Sequence, residues 1–141
     1  MKQLPISSRE PLRLLSVVIP ARNESGCIRA TVEHLHLELR VQGIDHEIVA
    51  VDDGSTDNTW DVLQQLAIRV PALRPIQNQG GHGFGRALTH GFSHLIGDAV
   101  IVMMTDESDD CRDVVRYWEL LSQGGDAVFG SRFMRGGAVI D

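Results

Sequence analysis

Carboxylates, glycines and arginines gather in this chain where apolar runs end. Asp52-Asp53-Gly54-Ser55-Thr56-Asp57 follows one such run, and Asp106, Glu107, Asp109 and Asp110 place four carboxylates within five positions after another. A carboxylate can accept hydrogen bonds from the N–H of a base such as uracil or guanine, and a second can hold ribose hydroxyls. One or two carboxylates, joined by substrate phosphates and water, also suit a hard divalent cation such as Mg2+ or Mn2+. A leaving diphosphate needs such a cation to neutralise its charge.

Between these acidic segments lies Gln77 to Gly85, a glycine-rich loop. Its spacing, G-G-x-G-x-G, fits neither a dinucleotide fingerprint nor a P-loop. Glycines permit close approach of a ligand to the backbone, and Arg86 on the following helical turn can meet a phosphate. His82, inside the loop, can touch a ligand. His90 and His94 stand one turn apart with no evident third metal ligand, which reads as a polar helix face. Each segment also has a plain structural meaning. Asp, Gly and Ser favour turns, Asp109 and Asp110 suit a helix start, and a glycine loop can simply be flexible.

The elements that must position these groups alternate. Apolar runs at Leu14–Pro20, His46–Val51, Leu73–Ile76, Ala99–Met104 and Asp126–Gly130 read as strands. Helical spacing appears over Cys27–Arg40, from Asp57 or Asn58 to Arg69, over Phe84–Ile96 and over Asp113–Ser122. The third of these carries Leu88, Phe92 and Leu95 on one face. No periodic element is read after Ser131. Alternation of this kind predicts an α/β fold with a mostly parallel sheet and helices on both faces. Ligands then bind beyond the carboxyl ends of the strands, where the polar segments fall.

The chain has 141 residues, 43% of them hydrophobic, with a formal net charge of -6. That suffices for one core, and an acidic chain is poorly suited to gripping nucleic acid through its phosphates. Residues 1–13 read as a flexible leader and 14–141 as one domain. The longest apolar run, Ala99 to Met104, falls far short of the ~20 residues of a membrane span. Cys27 and Cys111 lack metal-ligand spacing and read as free thiols of a reducing compartment.

Taken in order, five segments resemble family 2 glycosyltransferases of the GT-A, Rossmann-like fold, above all the branch of dolichyl-phosphate mannose synthases and their bacterial relatives. They are SVVIPARNE (Ser16–Glu24), VDDGSTDNT (Val51–Thr59), GGHGFGRALTHG (Gly80–Gly91), MTDESDD (Met104–Asp110) and FGSRF (Phe129–Phe133). The resemblance runs from about Leu14 to Gly137 and implies transfer of a sugar from a UDP- or GDP-sugar, with inversion. The implied acceptor is of the polyprenyl-phosphate type, at the inner face of a membrane, with the protein cytoplasmic or peripheral there. By the same resemblance Pro20, Ala21 and Glu24 line the nucleotide pocket. Asp53 holds the base with Asp52 beside it, and Gly83, Gly85 and Arg86 lie by ribose and phosphates. Asp106, with Glu107 as second choice, occupies the place of the family's metal-binding Asp-x-Asp. Arg132 reaches the diphosphate or the acceptor phosphate.

Two departures stand out. The acidic segment reads Thr105-Asp106-Glu107 where the family has two aspartates one residue apart. Family members also continue well past their Gly-Ser-Arg, whereas this sequence ends at Asp141. The expectation is therefore a donor-binding half that lacks acceptor elements, is inactive alone, and exposes apolar surface through which it can form a homodimer. Two rivals remain at this stage. One is a nucleotide-binding domain without transfer activity. The other is a nucleotidyltransferase, which should carry a basic signature near its start, where only Arg22 appears.

Overall fold

Residues 11–105, 111–123, 127–131 and 134–140 are described by the computed structural model. In chain order they form β1 (Leu15–Ala21), α1 (Ile28–Val41), β2 (His46–Asp52), α2 (Thr59–Arg69), β3 (Leu73–Gln77), α3 (Phe84–Phe92), β4 (Ala99–Val102), α4 (Cys111–Ser122), β5 (Ala127–Ser131) and β6 (Met134–Ile140). The strands β1 to β4 build a parallel sheet in the order β3-β2-β1-β4. Growth thus proceeds from β1 to β3 in one direction and then reverses to place β4 on the other side of β1. Parallel crossovers are right-handed. The reversal accordingly sends α3 to the face opposite α1 and α2.

The two faces bury different amounts. On one, Leu15, Val17, Ile19, Ile48 and Ala50 meet Ile28, Val32, Leu35 and Leu39 of α1, Leu63 and Leu66 of α2, and Val114, Val115 and Leu121 of α4. On the other, Val18, Val49 and Val51 meet Ala87 of α3, with Ile76, Leu88 and Leu95 around them. Here α3 approaches closely because Gly91 has no side chain. A Cβ at Gly91 would lie 2.9 Å from Val18 Cγ1 and 3.0 Å from Val51 Cγ2. Those are β-branched core side chains with little room to turn. Gly91→Ala should cost about 1–3 kcal/mol through overpacking. Thermal melts check this, and an unchanged Tm would mean that α3 can lift freely.

Near the amino ends of the strands the α3 face carries a polar row. Glu47, 4% exposed, accepts hydrogen bonds from Ser16 Oγ at 2.6 Å, Arg74 Nη1 at 2.6 Å and the Ile96 N–H at 2.7 Å. Ser16 Oγ in turn accepts the Gly97 N–H at 2.9 Å. The row therefore pins the connection from α3 to β4. Burial pushes the Glu47 carboxyl up, but its Ile96, Ser16 and Arg74 partners outweigh that and hold it below its ordinary value.

Several expectations change. The fifth strand does not extend the parallel sheet; β5 pairs antiparallel with β6, in a register that shifts between Phe129 and Ser131. The tail expected to lack a periodic element supplies β6, where Gly136 and Gly137 interrupt the apolar pattern of a strand. Phe92 is 47% exposed, while Ala87 and Gly91 make the buried contacts of α3, because close helix–sheet packing selects small residues. Residues 11–13, assigned to a loose leader, are tied down: Leu12 packs on the larger core, and the Arg13 and Leu14 N–H groups both donate to Asp98 Oδ2 at 2.9 Å. Cys27 and Cys111 are not joined in a disulfide.

Candidate nucleotide-binding site

Side chains alternate across a strand, so two consecutive aspartates at the end of β2 must face opposite ways. Ile48 and Ala50 face α1 and α2, and so does Asp52; Val49 and Val51 face α3, and so does Asp53. Asp53 continues the sheet, its N–H donating to Ala21 O at 2.8 Å, and the Asn78 N–H donates to Asp52 O at 2.9 Å. Beyond Val18 the pairing of β1 with β4 stops, while β1 goes on pairing with β2 through Pro20↔Val51 and Ala21↔Asp52. β1 and β4 thus stop pairing at the point where strand order reverses, the place where α/β sheets bind ligands.

On the α3 side, Asp53 organises the glycine loop. It is 4% exposed. Its Oδ1 accepts from Asn78 Nδ2 at 2.8 Å and His82 Nδ1 at 3.0 Å, and its Oδ2 accepts the Gly83 N–H at 2.8 Å. A carboxylate can only accept here, so the His82 proton sits on Nδ1. Burial pushes the Asp53 carboxyl up, yet Gly83, Asn78 and His82, in that order, outweigh it and hold it below its ordinary value. Asn78 also donates to Gly81 O at 3.0 Å. The His82 ring lies over Gly54, where a Cβ would come within 2.6 Å of it and where φ is +75°; both the space and the left-handed backbone call for glycine. The Arg86 side chain folds over Gly81, in the room left by its missing Cβ. Gly85 and Arg86 lie in the first turn of α3, whose free N–H groups favour anions.

On the other side, the loops after β1 and β2 are stitched together. Asn23 Oδ1 accepts the Thr56 N–H at 2.8 Å, Thr56 Oγ1 at 3.2 Å and the Asp57 N–H at 3.2 Å, while the Asn23 N–H donates to Ser55 Oγ at 2.9 Å. The Glu24 N–H donates to Thr59 Oγ1 at 2.9 Å, and the Ser25 N–H to Asp57 Oδ2 at 3.3 Å. Asp57 Oδ1 accepts the N–H of Thr59, the first residue of α2, at 2.9 Å as well as its hydroxyl. The Thr59 hydroxyl above all, then the N–H groups of Thr59 and Ser25, pull Asp57 down to about 2. Asp52 Oδ1 accepts the Ser55 N–H at 3.3 Å.

The structure thus brings Pro20, Ala21, Glu24, Asp52, Asp53, Gly83, Gly85 and Arg86 to one edge of the sheet. Asp106, Glu107 and Arg132 lie outside the described residues. The segment leading to the first two is held by the Met103 N–H to Val18 O at 2.9 Å and by Thr31 Oγ1 to Thr105 O at 3.4 Å. Among the described residues no group of three or more His, Cys, Asp or Glu could hold a metal ion. Asn23 and Asn78 escaped the sequence reading as individual residues. Asn78 was within reach of it, since period-2 alternation puts Asn78 on the face of Ile76, beside Asp53.

The Glycosyl transferase family 2 model matches residues 16–139. The chain belongs to that family. Its relatives include a dolichol-phosphate mannosyltransferase of Pyrococcus furiosus, 34% identical over 89% of this chain and 35% of its own length. Another is an undecaprenyl-phosphate 4-deoxy-4-formamido-L-arabinose transferase of Edwardsiella ictaluri, 32% identical over 87% of this chain and 38% of its own. The chain therefore spans less than two fifths of either family member. Glucosyl-3-phosphoglycerate synthase of Mycobacterium tuberculosis, solved with Mn2+, UDP and glucosyl-3-phosphoglycerate, superposes with a TM-score of 0.63 at 28% identity, over 79% of this chain and 40% of its own. A mannosyltransferase from Pyrobaculum calidifontis, solved with GDP-mannose and Mn2+, shares the fold at a TM-score of 0.67 and 20% identity, over 84% of this chain and 35% of its own. The parallel sheet with helices on both faces is the GT-A arrangement of these glycosyltransferases.

Proposed function

We propose that residues 14–141 form the donor-binding part of a glycosyltransferase that takes a nucleoside-diphosphate sugar, UDP- or GDP-linked, and passes the sugar with inversion to a polyprenyl phosphate at a membrane surface. The observation that carries this reading is the gathering of Glu24, Asp52, Asp53 and the glycine loop at the carboxyl end of the parallel sheet, with Asp53 bonded to Asn78, His82 and Gly83 of that loop. The relatives' names, dolichol-phosphate and undecaprenyl-phosphate transferases, supply the acceptor class. Among the described residues no helix is long and apolar enough to cross a membrane.

In this reading a base N–H takes the remaining acceptor position of Asp53, since a carboxylate offers about four and three are used. Asp52 meets the ribose, Pro20, Ala21 and Glu24 wall the pocket, and Gly83 and Gly85 let the donor approach the backbone. Arg86 and the start of α3 face the phosphates, with Arg132 assigned to the diphosphate or acceptor phosphate. The carboxylates of Asp106 and Glu107 are hard oxygen donors of the kind that suit Mg2+ or Mn2+. A cation held there would neutralise charge on the departing diphosphate. An acceptor phosphate is already ionised, so its oxygen attacks the anomeric carbon without a strong base as the nucleoside diphosphate leaves. Positioning and charge then suffice, with no covalent enzyme intermediate.

Calorimetry with UDP and GDP, in Mn2+ and after chelation, tests both parts. Affinity should fall at least ~10-fold without the cation, about 1.4 kcal/mol. Equal affinity after chelation removes the metal role, and no binding of either nucleotide removes the donor site.

A further inference from the structure

We propose that Asn23 is a positioning residue: it clamps the loop after β1 to the loop after β2, and so presents Glu24 and Asp52 to a nucleoside diphosphate. The inference rests on the reading of the site given above. Among the described residues Asn23 alone, of those that are not glycine, has a positive φ, +54°. Most side chains disfavour that conformation, and asparagine tolerates it. Strain of this kind persists where surrounding contacts enforce it, and here they are on the page. One exposed side-chain oxygen takes three donors from the facing loop, and the residue's own N–H goes to Ser55 Oγ.

The chain of contacts ends on the site. Ser55 is held by Asn23 through its hydroxyl and donates its N–H to Asp52 Oδ1. Glu24, the next residue along, is fixed to Thr59 on the facing side. The helices beyond these loops do not need the clamp, because Ile28 and Leu63 anchor α1 and α2 in the core at 0% exposure. What Asn23 sets is the separation of two loops, and with it the preorganisation of the groups they carry.

Three variants of the full chain test this. Asn23→Gly keeps the backbone and removes the acceptor, Asn23→Asp keeps both, and Asn23→Ala loses both. Calorimetry with UDP and GDP in Mn2+ should show Asn23→Gly binding about tenfold more weakly than the parent, at nearly unchanged Tm. Asn23→Asp should stay within about threefold of the parent, and Asn23→Ala should lose at least as much affinity as Asn23→Gly and some Tm besides. Amide exchange without ligand should speed up at Thr56 and Asp57 in Asn23→Gly. Parental affinity in Asn23→Gly, unchanged exchange at those amides, or no rescue by Asn23→Asp would each overturn the inference. If the parent itself binds neither nucleotide in Mn2+, the reading of the site fails, and the positioning role falls with it whatever the exchange data show.

Discussion

Replacing Asp53 with alanine should abolish measurable nucleotide binding and lower stability by about 2–3 kcal/mol. Each buried donor left without an acceptor costs about 1–3 kcal/mol, and three converge on this carboxylate. The half-exposed His82 can turn to water, which keeps the total below the sum. The site suffers more than the fold. Without Asp53 nothing gathers Asn78, His82 and Gly83, and the glycine loop loses its fixed place beside the end of β2. Asparagine should rescue little, because its NH2 must face one of the donors that the carboxylate now accepts. Burial and three bonds give this turn aspartate a part in stability as well as in binding. Urea titrations combined with calorimetry on UDP and GDP check both halves. A mutant as stable as the parent and binding normally would remove Asp53 from the site.

Glu47→Ala should lower stability by about 2–4 kcal/mol, seen as a fall in Tm of roughly 10 °C. It strands the buried Ser16 hydroxyl and takes the acceptor from the part-buried Ile96 N–H, while Arg74, 40% exposed, recovers water. The carboxylate also gives the protein an acid limb. Glu47 and Asp53 sit below their ordinary values of 4.5 and 3.8. A depressed carboxyl contributes stability that is whole above the ordinary value and is lost as pH falls through the lower folded one. Urea midpoints should therefore hold down to about pH 5 and decline below it. Glu47→Gln, with the charge removed, should be less stable at pH 7 and decline less steeply in acid. A parental slope in that variant would take Glu47 out of the account.

Much of this was legible from the order of residues. The buried strands announced themselves as unbroken apolar runs, and the polar segments behind them marked the edge that binds. The same unbroken runs hid the facing of each residue. LLSVVIP carries no alternation, so Ser16 gave no hint that it shares a face with Glu47, and only the resemblance told Asp52 from Asp53. Those became visible only once register tied Ser16 to Glu47 and Ala21 to Asp52. Asn23 was invisible for another reason. Its importance lies in a backbone angle and in partners some thirty residues away, neither of which leaves a local pattern. Phe92 misled because a helix can approach a sheet on alanine and glycine as well as on large side chains.

The unequal faces of the sheet bear on how the molecule comes apart. Local opening follows the amount of apolar surface holding a segment. Against α1, α2 and α4, the sheet shares one broad core; against α3 it sets three fully buried valines, Val18, Val49 and Val51, on the helix's Ala87. In native-state exchange, α3 and the glycine loop should therefore form their own subglobal unit, opening well before the strands and without melting them. The loop that closes over Asp53 can then move on a lower free-energy rung than the scaffold that holds Asp53 itself.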